Sequence, residues 1–221
     1  MTDINTNTTA ESSSQTGSPA QSGSPFKTVD LALIALFVAL MAICSWISIP
    51  IGSVPITLQT FAVFVTVAIL GGMKGTIAVA VYILLGAVGV PVFSNMQGGI
   101  GVLLGQTGGY IIGFIASSLI MWGFEKLPHG KTIWMRAISM VIGLIACYAF
   151  GTAWFMQVYT ANKGAVELAT VLGWCVIPFI LPDAVKIALA LFIGSNKSIA
   201  KLMNKVRFPE GKRTADSSDN K

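Results

Sequence analysis

The stretch that decides the fold is LATVLGWCVIPFILPDAVKIALALFI, residues 168–193, and its only charged side chains are Asp183 and Lys186. An apolar run of this length is typical of a membrane-crossing helix, because about 20 apolar residues span the hydrocarbon core of a bilayer. Charges inside such a run are costly and usually mark a binding or transport site. The segment therefore predicts a membrane helix that carries a ligand site.

The rest of the chain is also rich in apolar residues and poor in charged ones. Its 221 residues are 54% hydrophobic and 10% charged, whereas soluble domains contain roughly 25% charged residues. A soluble protein of this composition would expose large apolar patches. Five further apolar runs lie at residues 29–47, 60–70, 76–90, 108–124 and 133–159. Because an open sheet cannot satisfy its backbone in lipid, we predict an all-α polytopic membrane protein with six transmembrane helices.

The basic residues predict the orientation of these helices. Under the six-helix interpretation, 12 of the 14 lysines and arginines fall on one side of the membrane, and the other loops contain only Lys163. Cytoplasmic loops carry the excess of Lys and Arg, so both termini are predicted to be cytoplasmic, in a bacterial plasma membrane. Because topology accounts for the net charge of +5, we expect no nucleic-acid partner.

The composition divides the chain into three parts. Residues 1–27 are rich in Ser, Thr, Gln and Gly, which predicts a disordered cytoplasmic tail. Residues 28–200 form the predicted six-span binding domain, and residues 201–221 form a basic and polar cytoplasmic tail. The basic segment 197–213 is expected to touch anionic headgroups.

Asp183 and Lys186 stand three positions apart, which places them on one helix face and close enough to pair. They are either a ligand site or an ion pair that only locks helix packing. Pro178 and Pro182 precede them, and each lacks the N–H that a helix needs. We expect the helix to kink or break there. If Pro182 begins a new helical segment, Asp183 lies near its positive dipole end.

Two uncharged loops on the predicted outer side are candidates for a lid. Loop 49–59 carries Thr57 and Gln59, and loop 91–107 carries Asn95 and Gln106. Both are rich in residues that make tight turns, and loops on a rigid scaffold often carry binding residues. The alternatives are an ordinary interfacial loop and a re-entrant segment that packs helices.

Aromatic and small residues add two weaker indications. Tyr82, Tyr110 and Trp154 are candidates for ligand contact, although such residues more often anchor or fill a membrane protein. A stripe of small residues with steps of three and four marks one face of the first helix: Ala32, Ala35, Ala39 and Ala42. Such a face permits close helix approach, either within this protein or to a separate membrane subunit.

Signatures of enzymes and metal sites are missing from the sequence. Gly130-Lys131-Thr132 resembles the end of a phosphate-binding loop, but Glu125 stands where the earlier glycine belongs. There is no nucleophile–His–acid set and no metal-ligand spacing. We therefore expect no catalytic residue, no metal and no ATPase site, and we expect the cysteines to be buried apolar side chains.

Four blocks taken together resemble one family. They are VPITLQT (54–60), LLGAVGVPVF (84–93), GGIGVLLGQTGGYIIGF (98–114) and LPDAVKIALA (181–190). In this order they are similar to the BioY family, the biotin-binding S components of energy-coupling-factor (ECF) transporters, over roughly residues 28–200. The resemblance implies a cofactor-free subunit that captures biotin at the extracellular face. Its implied partners are a membrane coupling protein and two cytoplasmic ATPases that consume ATP.

The resemblance also implies roles for particular residues. It places Asp183 and Lys186 in the biotin site, and it implies that loops carrying Thr57, Gln59 and Asn95 close over the ligand. It further implies that a face of small residues on the first helix contacts the coupling protein, which here would be Ala35 and Ala39. The family often has Pro or a basic residue where this chain has Gln106. An S component for another vitamin, an ion-coupled carrier and a small intramembrane enzyme built around Asp183 stay as alternatives.

Overall fold

A computed structural model describes residues 28–50, 54–130 and 132–207 of the chain. The expected disordered tail and the residues after 207 lie outside this range. A short 3-10 turn covers Ser94–Met96, and two short strands, β1 (Ser48–Ile49) and β2 (Ile56–Thr57), pair antiparallel. The helices are α1 (Thr28–Trp46), α2 (Gln59–Leu70), α3 (Gly72–Val88), α4 (Ile100–Leu104), α5 (Gly108–Glu125), α6 (Ile133–Lys163), α7 (Leu168–Cys175), α8 (Ile177–Gly194) and α9 (Lys197–Arg207).

Four of these helices, α1, α5, α6 and α8, are long and apolar enough to cross a membrane, and α2 and α3 are apolar but shorter. The prediction of an all-helical membrane protein is therefore confirmed. Helix α6 has 31 residues and extends about 46 Å at 1.5 Å per residue. It exceeds a hydrocarbon core of about 30 Å, which lets its C-terminal part pack against α7.

Helix α2 forms the centre of the bundle and contacts α1, α3, α5 and α8. Its Ala62, Val63 and Phe64 are almost fully buried. A helix that is apolar on all sides is expected to be surrounded by other elements or by lipid. The short second apolar run is thus a central helix, and its neighbours supply the cavity walls described below.

Helices α5 and α6 pack closely because glycines remove side chains from their interface. A Cβ atom added at Gly109 would lie 2.3 Å from the Cβ of Trp154, and one added at Gly151 would lie 2.2 Å from the ring of Tyr110. Small residues let membrane helices approach in this way. The contact brings Tyr110 of α5 beside Thr152 of α6, next to the cavity.

The last apolar run is divided into α7 and α8 at Val176, whose φ of −123° is not helical. Pro178 cannot donate to the carbonyl of Trp174, so α7 ends first, and Pro178 is tolerated in the first turn of α8. The expected break is therefore present. Pro182, however, lies inside α8. The expectation that Asp183 lies near a helix N-terminus is wrong, since it follows the first turn, where the dipole effect is already weak.

One end of the bundle is tied together by charged side chains. Lys74 pairs with Asp30 at 2.6 Å between α3 and α1, and the Glu125 carboxylate accepts from the backbone N–H of Gly72. Arg136 of α6 donates to the carbonyl of Gly194 at 2.8 Å. The opposite end carries the two predicted lid loops. The first end is thus the charged end of the bundle, whereas the two outer loops at the other end carry no charged residue, although Lys163 and Glu167 lie at that end too.

We predict that Gly86→Ala destabilises the fold. Its added Cβ would lie 2.0 Å from the ring of Phe93, which is fully buried beneath the outer loop. Overpacking of this kind costs about 1–3 kcal/mol. Gly123→Ala is the matched control, because nothing lies within 4 Å of that added Cβ. Thermal unfolding in detergent should show a lower midpoint for Gly86→Ala alone, and equal midpoints for both variants would contradict the packing described here.

Candidate ligand-binding site

A cavity lies beneath the two outer loops, between α2, α5, α6, α7 and α8. Its empty volume is about 600 Å³, including a part that is open to solvent. Both apolar and polar side chains line it, which is typical of small-molecule sites. The lining residues are Val54, Pro55, Thr57, Gln59, Thr60, Ser94, Thr107, Tyr110, Ile111, Phe114, Leu144, Cys147, Tyr148, Cys175, Phe179 and Asp183.

Asp183 supplies the only carboxylate among these lining residues, and its side chain is 2% exposed. Its Oδ1 accepts from Lys186 Nζ at 2.6 Å, and its Oδ2 accepts from the Tyr148 hydroxyl at 2.5 Å. Bonds of this charge-assisted kind are short and strong. Each carboxylate oxygen has a second lone pair. Asp183 is therefore held in place from two sides and can still accept from a ligand.

Lys186 forms the pair that its spacing predicts, but it is not among the lining residues of the cavity. Its side chain is 6% exposed and its ammonium bonds to Asp183. The sequence suggested that Lys186 contacts a ligand directly. In the structure its ammonium bonds to Asp183 instead and lies outside the cavity wall. The lysine compensates the buried charge of Asp183 without lining the cavity, and this lowers the free-energy cost of keeping a carboxylate in an apolar bundle.

Tyr148 is the residue that sequence reasoning missed. It lies in the middle of α6, lines the cavity and donates to Asp183. A phenol in the centre of an apolar run is a weak indication by itself, since tyrosine is common in membrane proteins. Two of the three cysteines, Cys147 and Cys175, also line the cavity, and all three are buried as predicted.

Gln59 lines the cavity at the start of α2 and is only 5% exposed. Its Nε2 donates to the Tyr82 hydroxyl at 2.7 Å, and that hydroxyl donates to the carbonyl of Val92 at 2.8 Å. Tyr82 is fully buried and is not among the lining residues. It therefore positions Gln59, and it connects the cavity wall to the outer loop, rather than contacting a ligand as the sequence suggested.

Of the two remaining aromatic candidates, one lines the cavity and the other does not. Tyr110 lines the cavity and its hydroxyl lies 3.1 Å from that of Thr152. Trp154 donates to the carbonyl of Gly105 at 3.0 Å and packs on Gly109. Because Trp154 is not among the lining residues, its expected role as a ligand contact changes to support of the outer loop.

The two outer loops are joined close to the mouth of the cavity. Ser48 Oγ donates to Asn95 Oδ1 at 2.9 Å, and Trp46 Nε1 donates to the carbonyl of Pro91 at 2.9 Å. Asn95 has a φ of 57°, a left-handed conformation that Asn tolerates well. It therefore links the loops, while its neighbour Ser94 reaches the cavity.

Thr57 and Gln106 end up at different sites. Thr57 lines the cavity, and its hydroxyl accepts from the backbone N–H of Gln59 at 3.3 Å. Gln106 lies in a separate, shallow groove of the outer loop. The structure thus brings Asp183, Thr57, Gln59 and Tyr110 together, and it separates Gln106 from them.

The alanine stripe of α1 is exposed along most of its length. Ala32, Ala35 and Ala39 are exposed, whereas Ala42 is 7% exposed and belongs to the core. Three of the four alanines of the predicted docking face are therefore exposed, and Ala42 is not available on that surface. Ala42 turns away because the last turns of α1 pack their inner side against the outer loop through Ser45.

The chemistry of the cavity favours binding of a small, largely apolar molecule with N–H donors. Half of the sixteen lining residues are apolar, counting the two cysteines, and Asp183 offers an acceptor in a nearly dry environment. Within residues 28–50, 54–130 and 132–207, no group of three His, Cys, Asp or Glu could hold a metal ion. The geometry is that of a pocket that recognises a ligand by shape and by a few polar contacts.

Comparisons with known proteins agree on one family. The sequence model of the BioY family matches residues 14–204. A probable biotin transporter BioY from Pyrococcus horikoshii is 41% identical over 76% of this chain and 94% of its own length. The biotin transporter BioY of Thermotoga maritima is 40% identical over 72% of this chain and 89% of its own length. A crystal structure of the S-component for biotin from an ECF-type ABC transporter superposes with a TM-score of 0.66, at 27% identity, over 75% of this chain and 88% of that one.

The buried pair leads to a prediction about stability. Lys186→Met leaves Asp183 without its cationic partner, and removal of one member of a buried pair costs about 3–5 kcal/mol. Asp183→Asn together with Lys186→Met removes both charges and should restore most of the lost stability. Thermal unfolding of both variants in detergent checks this. A double variant no more stable than Lys186→Met would show that the ion pair is not the reason for the loss.

Proposed function

Because this chain belongs to the BioY family, we propose that it is the biotin-binding S component of an ATP-driven vitamin importer. The observation that carries the proposal is the buried Asp183 carboxylate, which lines the cavity and is fixed by Lys186 and Tyr148. The cavity lies beneath the two uncharged outer loops, at the end of the bundle opposite Lys74 and Arg136. In this proposal that end faces the outside of the cell and captures biotin there.

Biotin matches the polar groups of the cavity. Its ureido ring carries two N–H donors and one acceptor oxygen, fused to an apolar thioether ring, and its side chain ends in a carboxylate. We assign the ureido N–H groups to Asp183, which accepts them with charge-assisted bonds. Tyr148 and Lys186 keep the carboxylate oriented, so little ordering is needed when the ligand arrives.

The rest of the ligand would be held by the apolar wall and the mouth. Ile111, Phe114 and Phe179 line the cavity and would bury the thioether ring and the aliphatic chain. None of the lining residues is Lys, Arg or His. We therefore propose that the ligand carboxylate is held by neutral groups near the mouth, with Thr57 and Ser94 as the donors on the two loops.

Gln59 gives a route from ligand binding to loop closure. It lies in the cavity wall and is joined through the Tyr82 hydroxyl to the carbonyl of Val92 in the outer loop. A ligand that bonds to Gln59 would stabilise this chain of hydrogen bonds. The outer loop would then be held more firmly over the occupied cavity than over the empty one, which keeps biotin bound until the partner acts.

The proposed topology has six transmembrane helices, α1, α2, α3, α5, α6 and the α7–α8 segment, with both termini in the cytoplasm of a bacterium. It is supported by Lys74 and Arg136, which lie at the end of the bundle opposite the cavity. Basic residues favour the cytoplasmic side. The cavity then faces outward, as an importer requires.

We further propose that a separate membrane coupling protein docks on Ala32, Ala35 and Ala39, and that two cytoplasmic ATPases drive transport with ATP. The three alanines form an exposed strip without large side chains, which suits close helix packing. In this proposal the chain has no catalytic residue, no metal and no cofactor, and biotin is its ligand.

We predict that Asp183→Asn weakens biotin binding by about 10- to 150-fold, because a charge-assisted hydrogen bond contributes about 1.5–3 kcal/mol. Calorimetric titration of the purified chain, without ATP, measures the affinity. Asp30→Asn is the matched control, since Asp30 is also a buried acid paired with a lysine, but at the other end of the bundle. Unchanged affinity for Asp183→Asn would refute the assigned site. Displacement of biotin by thiamine or riboflavin would instead indicate an S component for another vitamin.

A second prediction concerns the docking face. Ala35→Leu combined with Ala39→Leu should abolish co-purification with the coupling protein and leave biotin affinity unchanged, because both residues are exposed and α1 contributes no residue to the cavity lining. Ala188→Leu, at an exposed alanine of α8, is the control and should keep the complex intact. Retention of the coupling protein by the double variant would place its docking surface elsewhere.

A further inference from the structure

Among the helices of the described residues, α9 is the only strongly amphipathic one. Its sequence, KSIAKLMNKVR, places Ile199, Leu202, Met203 and Val206 at helical steps of three, four and seven, and so on one face. Three lysines, Lys197, Lys201 and Lys205, follow at steps of four on the opposite face. The helix contains no acidic residue. It therefore has an apolar side and a uniformly cationic side.

The position of α9 follows from a short turn at the end of α8. Only Ser195 and Asn196 separate the two helices, and Asn196 Oδ1 accepts from the backbone N–H of Ser198 at 2.8 Å. Helix α9 contacts α1 and α2 as well as α8. These contacts, together with the bond from Arg136 to the last residue of α8, place α9 at the charged end of the bundle.

Only part of the apolar face is covered by protein. Met203 packs against the main core, whereas Leu202 is 60% exposed and Val206 is 41% exposed. Lys201 and Lys205, on the cationic face, are exposed as well. Helix α9 thus has an exposed apolar edge and a cationic face, and it starts where a candidate membrane span ends. Helices of this kind lie in the headgroup region of a bilayer.

We propose that α9 is an interfacial helix that binds anionic phospholipid headgroups. Leu202 and Val206 reach into the boundary of the acyl chains, and Lys197, Lys201 and Lys205 lie along the phosphates. Lipid is the occupant because the two-residue turn keeps α9 at the depth where α8 leaves the hydrocarbon, and because its charges complement phosphate. This inference does not depend on the identity of the ligand in the cavity.

The test places a nitroxide label on the full-length chain at Leu202→Cys or at Asn204→Cys, an exposed polar-side residue. The three native cysteines are buried and are replaced by alanine. The chain is reconstituted in nanodiscs of phosphatidylcholine alone or with added phosphatidylglycerol. Collisions of the label with oxygen, which is concentrated in lipid, and with a water-soluble nickel chelate give its depth.

The label at 202 should show a higher oxygen-to-nickel ratio than the label at 204, by about twofold or more. Phosphatidylglycerol should raise the ratio at 202 further. That rise should disappear in a variant with Lys197→Gln, Lys201→Gln and Lys205→Gln.

Equal nickel access at both positions would overturn the proposal, because α9 would then lie in water. Exclusion of both reagents from 202 would also overturn it, since a protein surface would then cover the helix. A phosphatidylglycerol effect that survives the triple substitution would refute the role of the lysines.

Discussion

The structure depends on keeping one carboxylate charged within an apolar bundle. Asp183 is almost fully buried and receives a bond from Lys186 on its own helix and from Tyr148 on α6. Without such partners, a buried charge would cost several kcal/mol. The bond from Tyr148 also joins α6 to α8, whereas the bond from Lys186 lies within α8. In our proposal, stability and ligand recognition thus rest on the same atoms, since the carboxylate that bonds to Tyr148 and Lys186 also lines the cavity.

The two ends of the helix bundle differ in the side chains and contacts that they contain. The charged end contains Lys74 with Asp30 and Arg136 with Gly194, which tie helices together where basic residues meet the cytoplasm in our proposal. At the other end, loops 49–59 and 91–107 carry no charged residue, and hydrogen bonds from Ser45 and Trp46 to backbone carbonyls hold the second of them. In our proposal these two loops close over the ligand. This division suits a protein that captures a molecule on one side and meets its energising partners on the other.

The sequence indicated some of the residues that line the cavity, and the differences from the structure have a common cause. Four of the nine candidate binding residues line the cavity, namely Asp183, Thr57, Gln59 and Tyr110. Lys186 and Tyr82 lie directly behind lining residues and bond to them. Helical spacing indicates which face a residue occupies but not how deep it lies in the packed bundle. Tyr148 was missed for the same reason, because only its distance to Asp183 distinguishes it from an ordinary buried tyrosine.

The sequence by itself determined that the chain is a helical membrane protein, because its apolar runs and sparse charges leave no other way to satisfy the backbone. It also determined that Asp183 and Lys186 pair, because residues three apart on a helix are neighbours. Only the tertiary structure decided that the helix breaks at Val176 rather than at Pro182, and that Asp183 rather than Lys186 faces the cavity. Those outcomes depend on how α6, α7 and α8 pack, since contacts between elements far apart in the chain are not encoded in local spacing.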